Sequence, residues 1–271
     1  MEKAIKSILI SSGVVLVVAL YLFIAANTVM AADPILKVGA TAGPFAQILE
    51  AVKPVLAEEN IELEIVEFTD YVTPNLALAD GSLDANTFQH IPYFERFKSD
   101  RDLDLVSVAK TIVIPIAIYS DKYESLSEIP KNSTIAIPND PTNGGRALLL
   151  FEKAGLIKLD DSAGINATIF DIEVNPLNLK FHEVEAAQTA RVIPDVAAAA
   201  VNSNYALDLG MNPKEDSIYI EDGDSPYVCI VAVRPEDKND PLIKKFVEAY
   251  QSEKVRNFIN EEFDGSVIPA F

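Results

Sequence analysis

The chain has 271 residues, 49% of them hydrophobic and 23% charged, with 41 acidic against 22 basic side chains and a formal charge of −19. That is a globular composition, long enough for one large domain or two lobes. Its acidic excess argues against nucleic acid or anionic lipid as partners, because the attraction to phosphates has the wrong sign. The single cysteine, Cys229, excludes an internal disulfide, so the core must hold the fold.

The first residues stand apart. Lys3 and Lys6 are followed by no charge until Asp33, and residues 14–26 form a short apolar run ahead of Val29-Met30-Ala31. A basic start, a short apolar stretch and a small-residue ending read as a secretory signal over residues 1–31, cleaved between Ala31 and Ala32. The competing reading is an uncleaved anchor, since residues 8–26 approach the ~20 apolar residues that span a bilayer. Ser11, Ser12 and Gly13 weaken that span. No cysteine lies near the processing site, so diacyl lipid attachment there is not expected. Both readings export the body of the protein to the periplasm or cell envelope.

From Ile35 onward, strand and helix patterns alternate. "ILKVGA" is a short apolar run, and Ile48, Leu49, Val52, Val55 and Leu56 then recur at helical spacing. "IELEIVEF" alternates apolar and acidic residues as a half-buried strand does. Thr73-Pro74 opens a helix that Gly81 closes. Residues 105–120 are rich in β-branched side chains and broken by Pro115, which predicts two strands joined by a bend. A second series follows: strand "TIAIP", helix "RALLLFEKAG", strand "LKFHEV", a short helix near residues 185–191, strand "VAAAAV" and "NYALDLG". "YVCIVAV" returns to strand, and residues 241–263 form one closing helical stretch. Two such alternating series predict two α/β lobes, each a mainly parallel sheet flanked by helices. Lobe I takes residues 32–119 and 227–271, and lobe II takes 120–226. Ligands in such folds sit beyond the carboxyl ends of strands and between lobes.

Four segments are candidates for a site. "PNDPTNGGRALLL" follows a strand, turns at Asp140-Pro141 and starts a helix near Asn143 or Gly144. Arg146 in the first turn, beside free helix N–H groups, makes a carboxylate receptor. Equally, Thr142 or Asn143 merely caps the helix and Arg146 points to solvent. In "TFQHIPYF", Phe88, His90 and Tyr93 offer an apolar wall with polar tips, and Tyr71 in "FTDYVTPN" adds a ring. The plainer reading of these rings is core. Asn202 ends a buried strand, where it either contacts a ligand or caps "NYALDLG". Cys229, near the start of the return strand, reads as a small buried hydrophobe.

Taken together, these strings resemble the periplasmic methionine-binding lipoproteins, receptors of methionine ABC importers. The likeness runs along the whole mature chain, through "LKVGAT", "DYVTPN", "DANTFQHIPYF", "PIAIYS", "IAIPNDPTNGGRALLL", "GLIKL", "NPLNLKF", "VNSNYAL" and "EDGDSPYV". The resemblance implies a periplasmic-binding-protein fold, type II-like, with the ligand in the interlobe cleft. It implies a monomer that closes on L-methionine or a closely related amino acid and hands it to a permease, without cofactor or chemical change. Tyr71, Phe88, His90 and Tyr93 would then surround the thioether, Arg146 would bind the α-carboxylate, and Asn143 and Asn202 would complete the polar contacts. Three departures are visible. The lipidated cysteine is missing, Gly144 replaces a larger apolar residue and would loosen the helix start, and Cys229 stands where an asparagine that holds the ligand is expected.

Two rival functions remain from the sequence. One is a receptor for another small zwitterion or a short peptide. The other, of a different class, is an exported hydrolase with Cys229 as nucleophile and His90 as base. A metal receptor is not expected, with His90 and His182 the only imidazoles.

Overall fold

The structure, a computed structural model, describes residues 33–222 and 225–271. The signal read over residues 1–31 lies outside the described residues. In chain order the first elements are β1 (Ile35–Thr41), α1 (Pro44–Ala57), β2 (Glu62–Phe68), α2 (Thr73–Ala79), β3 (Ala85–Asn86), α3 (Ile91–Arg101) and β4 (Val106–Val113). Then come β5 (Ile116–Tyr119), β6 (Thr134–Pro138), α4 (Pro141–Lys153), the hairpin β7 (Lys158–Leu159) and β8 (Ile172–Val174), and β9 (Lys180–Val184). The chain continues through α5 (Ala186–Thr189), β10 (Ala198–Asn202), α6 (Ser203–Asp208) and β11 (Tyr219–Ile220). It ends with β12 (Val228–Val233), α7 (Pro241–Tyr250), α8 (Glu253–Phe263) and β13 (Ile268–Pro269).

The described strands build two larger sheets, one in the order β13-β4-β12-β3-β1-β2 and the other β11-β5-β10-β6-β9. Pairing is parallel where successive βα units lie side by side, at β1 with β2 and β3, and at β6 with β9 and β10. It is antiparallel where the chain crosses or returns, at β12 with β3 and β4 and at β5 with β10 and β11. Each sheet is therefore mixed, with parallel pairing confined to its βα half. The physical reason is that a strand entering from the other sheet arrives at the opposite end.

Each sheet with its helices forms one lobe of a two-lobed α/β fold. Against the first sheet, α1 buries Phe45, Ile48, Leu49, Val52 and Leu56 at helical spacing, packed with Phe246 and Tyr250 of α7 and Ile259 of α8. The second sheet is covered on one face by Leu148 and Phe151 of α4, and on the other by Tyr205 and Ala206 of α6. The crossing between sheets falls at Ile114-Pro115. β5, placed with lobe I by the sequence boundary at residue 119, pairs in the second sheet instead. Pro115 lacks a backbone N–H, so pairing stops there and the chain bends.

Three local expectations change. The closing helical stretch is two helices, because Ser252 caps α8 by accepting from the Val255 N–H at 3.4 Å. Helix α4 starts at Pro141, with Asp140 as its cap, so Arg146 sits in the second turn and not the first. Gly144 does not loosen that start. A Cβ there would stand 2.8 Å from the Pro138 carbonyl oxygen, so the glycine lets α4 approach the end of β6.

Candidate functional site

Strand ends and helix starts from both lobes converge where His90, at the start of α3, and Cys229 of β12 face α4, β10, Glu221 and Tyr227. Asp140-Pro141 sets the first of these starts. The proline fixes φ and has no N–H to lose, while the Asp140 carboxylate accepts from the Asn143 N–H at 2.9 Å. The amides expected to be free for an anion are thus already capped. Asp140 also accepts from the Thr142 hydroxyl at 2.9 Å and from Asn143 Nδ2, which lies 3.0 Å from both carboxylate oxygens. Burial pushes the Asp140 pKa up, and the hydrogen bonds from Asn143 and Thr142 pull it back.

Across the cleft, His90 caps α3. Its Nδ1 accepts from the Tyr93 N–H at 3.1 Å, so its Nε2 carries the proton and donates to Asn143 Oδ1 at 3.1 Å. Burial and then the Arg146 guanidinium drive the His90 pKa down to about 3, so the ring is neutral at ordinary pH. Asn202, at the end of β10, donates from Nδ2 to the same Asn143 oxygen at 2.8 Å. Its own Oδ1 is buried and has no hydrogen-bond partner among the described residues.

Arg146 is only 2% exposed. Its Nε donates to Glu221 Oε1 at 3.0 Å, and its Nη2 donates to Glu221 Oε2 and, at 2.9 Å, to the Ile114 carbonyl. Nη1 takes part in none of these bonds. The guanidinium also lies over the Tyr227 ring, 4.2 Å from its centroid. Arg146 is therefore neither a solvent-facing cation nor a vacant receptor. It is an oriented, charge-paired group with one arm of its fork left over.

The aromatic wall comes from lobe I. The Tyr71 ring lies 5.9 Å from Phe88 and 5.7 Å from Tyr93, and the Tyr93 hydroxyl donates to the Tyr71 carbonyl at 2.8 Å. Lobe II meets it through Tyr205, 5.0 Å from Tyr71, and Asn204, whose Oδ1 accepts from the Tyr71 hydroxyl at 2.6 Å. A cavity of about 370 Å³ opens beside these rings, lined in part by Asp70, Tyr71, Tyr93, Asp140, Glu185 and Tyr205. Cys229 bridges His90 through the backbone and is 1% exposed. Burial pushes its thiol up to about 12 despite the pull of Arg146.

All eight residues singled out from sequence thus meet in one network: Tyr71, Phe88, His90, Tyr93, Asn143, Arg146, Asn202 and Cys229. Sequence reasoning passed over Asp140, Glu221 and Tyr227. Asp140 carried a signal, an acid directly before a proline at a helix start. Glu221 and Tyr227 lie within "EDGDSPYV" but have no local pattern to separate them from their neighbours.

The model of the NlpA lipoprotein family matches residues 36–271. The D-methionine-binding lipoprotein MetQ of Salmonella typhimurium is 47% identical over 236 residues, covering 86% of this chain and 87% of that protein. Its Escherichia coli counterpart is 44% identical over the same length, covering 86% of this chain and 87% of its own. Among solved structures, a nutrient binding protein from Burkholderia cenocepacia bound to methionine superposes with a TM-score of 0.85 at 45% identity, covering 87% of this chain and 100% of that one. The match over almost all of the described residues makes this chain a member of the NlpA lipoprotein family.

Proposed function

We propose that the chain is the extracytoplasmic binding protein of an ABC importer, a monomer that closes its lobes on methionine and delivers it, unchanged, to a permease. The observation that carries this reading is the buried polar set between the lobes. Arg146 keeps an unused arm for a carboxylate, and Asn202 Oδ1 lacks a donor that an ammonium would supply. The rings of Tyr71, Phe88 and Tyr93 suit a thioether, whose sulfur packs favourably against aromatic edges. In this reading Tyr71, Phe88, His90, Tyr93, Asn143, Arg146, Asn202 and Cys229 line the ligand, in a protein exported by its N-terminal segment.

An exported cysteine hydrolase gains no support. A nucleophilic thiol needs a lowered pKa, whereas burial pushes Cys229 up to about 12. His90 is no available base either, with Nδ1 occupied by the Tyr93 N–H and Nε2 turned to Asn143.

The test is mass spectrometry of the ligand carried through mild purification, followed by calorimetry of stripped protein with L- and D-methionine. L-methionine is the expected ligand, bound without turnover. Recovery of a different small molecule, with no heat from either enantiomer, overturns the reading.

Cys229 supplies a sharper prediction. If the thiol faces the charged end of the ligand, it makes only weak hydrogen bonds there, and a weak buried contact costs about 1–3 kcal/mol. Cys229→Asn then tightens L-methionine binding by about fivefold or more. If the thiol belongs only to the core, the larger amide overpacks it, so the melting temperature drops and affinity does not improve.

A further inference from the structure

Asp140 makes no hydrogen bond to the facing lobe among the described residues, yet the Asn143 amide that meets His90 across the cleft, and through it Asn202, depends on Asp140. Its carboxyl group already accepts from the Asn143 N–H and the Thr142 hydroxyl, and both of its oxygens lie 3.0 Å from the Asn143 amide, so the amide atom that faces it is the donor, the nitrogen. The Asn143 oxygen is thereby turned toward the cleft, where it meets two donors, His90 Nε2 at 3.1 Å and Asn202 Nδ2 at 2.8 Å. His90 has no alternative role, because its Nδ1 is already the acceptor for the Tyr93 N–H. Asn202 therefore spends its nitrogen on Asn143 and is left with a buried oxygen that has no partner. Turning the Asn143 amide over would place its nitrogen against the His90 and Asn202 donors, and Asn202 would have to turn as well.

We infer that Asp140 is a positioning residue that sets the polarity of an Asp140–Asn143–Asn202 relay and so makes Asn202 a hydrogen-bond acceptor toward the ligand. The relay selects ligands that carry an N–H donor, an α-ammonium above all, over analogues without one. This rests on the methionine-binding reading for its ligand, but the relay is made of the chain's own side chains.

Two substitutions separate positioning from capping. Asp140→Asn and Asp140→Ser both keep a good helix cap. Asparagine offers Asn143 a donor as well as an acceptor, and serine cannot hold Nδ2 with two oxygens. Calorimetry compares L-methionine with its desamino analogue, 4-(methylthio)butanoate. Wild type favours methionine by about tenfold or more, and both variants lose most of that ratio, as expected for one charge-assisted hydrogen bond. Equal weakening for both ligands, or an unchanged ratio, makes Asp140 a cap and nothing more. A second measurement needs no ligand: the 15N side-chain amide resonances of Asn143 and Asn202 in stripped protein. Both sets move in Asp140→Asn if the relay exists. An Asn202 resonance that stays in place overturns it, whether or not methionine binds.

Discussion

Arg146→Ala is expected to abolish tight methionine binding and to lower the stability of the unliganded protein at the same time. Loss of a charge-assisted contact to the ligand carboxylate costs roughly 1.5–3 kcal/mol, which is at least tenfold in affinity. The stability effect has a separate origin. Glu221 has a side chain only 15% exposed, and the substitution leaves its carboxylate without the guanidinium that holds both oxygens. Removing one partner of a fully buried pair costs about 3–5 kcal/mol, and the partial exposure of Glu221 puts the loss here below that range. Arg146→Leu combined with Glu221→Leu distinguishes the two terms. Replacing both charges with apolar side chains restores much of the stability, because neither is left buried alone, yet binding stays lost. Thermal melts and calorimetry on the single and double variants read both quantities. Unchanged methionine affinity in Arg146→Ala would remove that residue from the site.

The second large effect is an acid destabilisation owed to His90. In the folded protein its pKa is held at about 3, against 6.5 for an ordinary histidine, by burial and by Arg146. Above pH 6.5 neither state takes the proton, so His90 contributes no pH dependence. Between 6.5 and about 3 the unfolded chain is protonated and the folded one is not, so stability falls as pH falls. The slope is about 1.4 kcal/mol per pH unit for one proton. Asp140 acts in the opposite sense. Its folded pKa is raised, so the folded state takes up its proton first and gains relative stability as pH falls. His90→Gln leaves Asp140 in place and keeps an amide that can donate to Asn143, so the difference between the two proteins isolates the histidine. Urea unfolding from pH 7 to pH 4 should show a shallower pH dependence in the variant. Parallel curves would mean that the folded ring titrates normally and is open to water.

The alternation of elements, the bend at Pro115 and the amphipathic face of α1 were readable, because side-chain spacing and proline act within a few residues. The start of α4 was legible only to within a turn: the cap is Asp140, ahead of Pro141 as the first helical residue, and not Thr142 or Asn143. Strand direction was harder. "YVCIVAV" looks the same whether it joins its sheet parallel or antiparallel, and only the return of the chain from the second sheet makes β12 antiparallel.

The sequence by itself determined which stretches become strands and helices, that they form an α/β protein of two lobes, and, through strings such as "FQHIPY" and "PNDPTNGGRALLL", which family the chain resembles. Only the tertiary structure decided that Arg146 is paired with Glu221, 75 residues further along, and that Asn143 is shared by His90 and Asn202, 53 and 59 residues away. The physical reason is range. Propensity, capping and periodicity are local and leave their mark in neighbouring residues, whereas the partner of a buried charge or amide is chosen by the packing of two sheets and has no trace in the residues beside it.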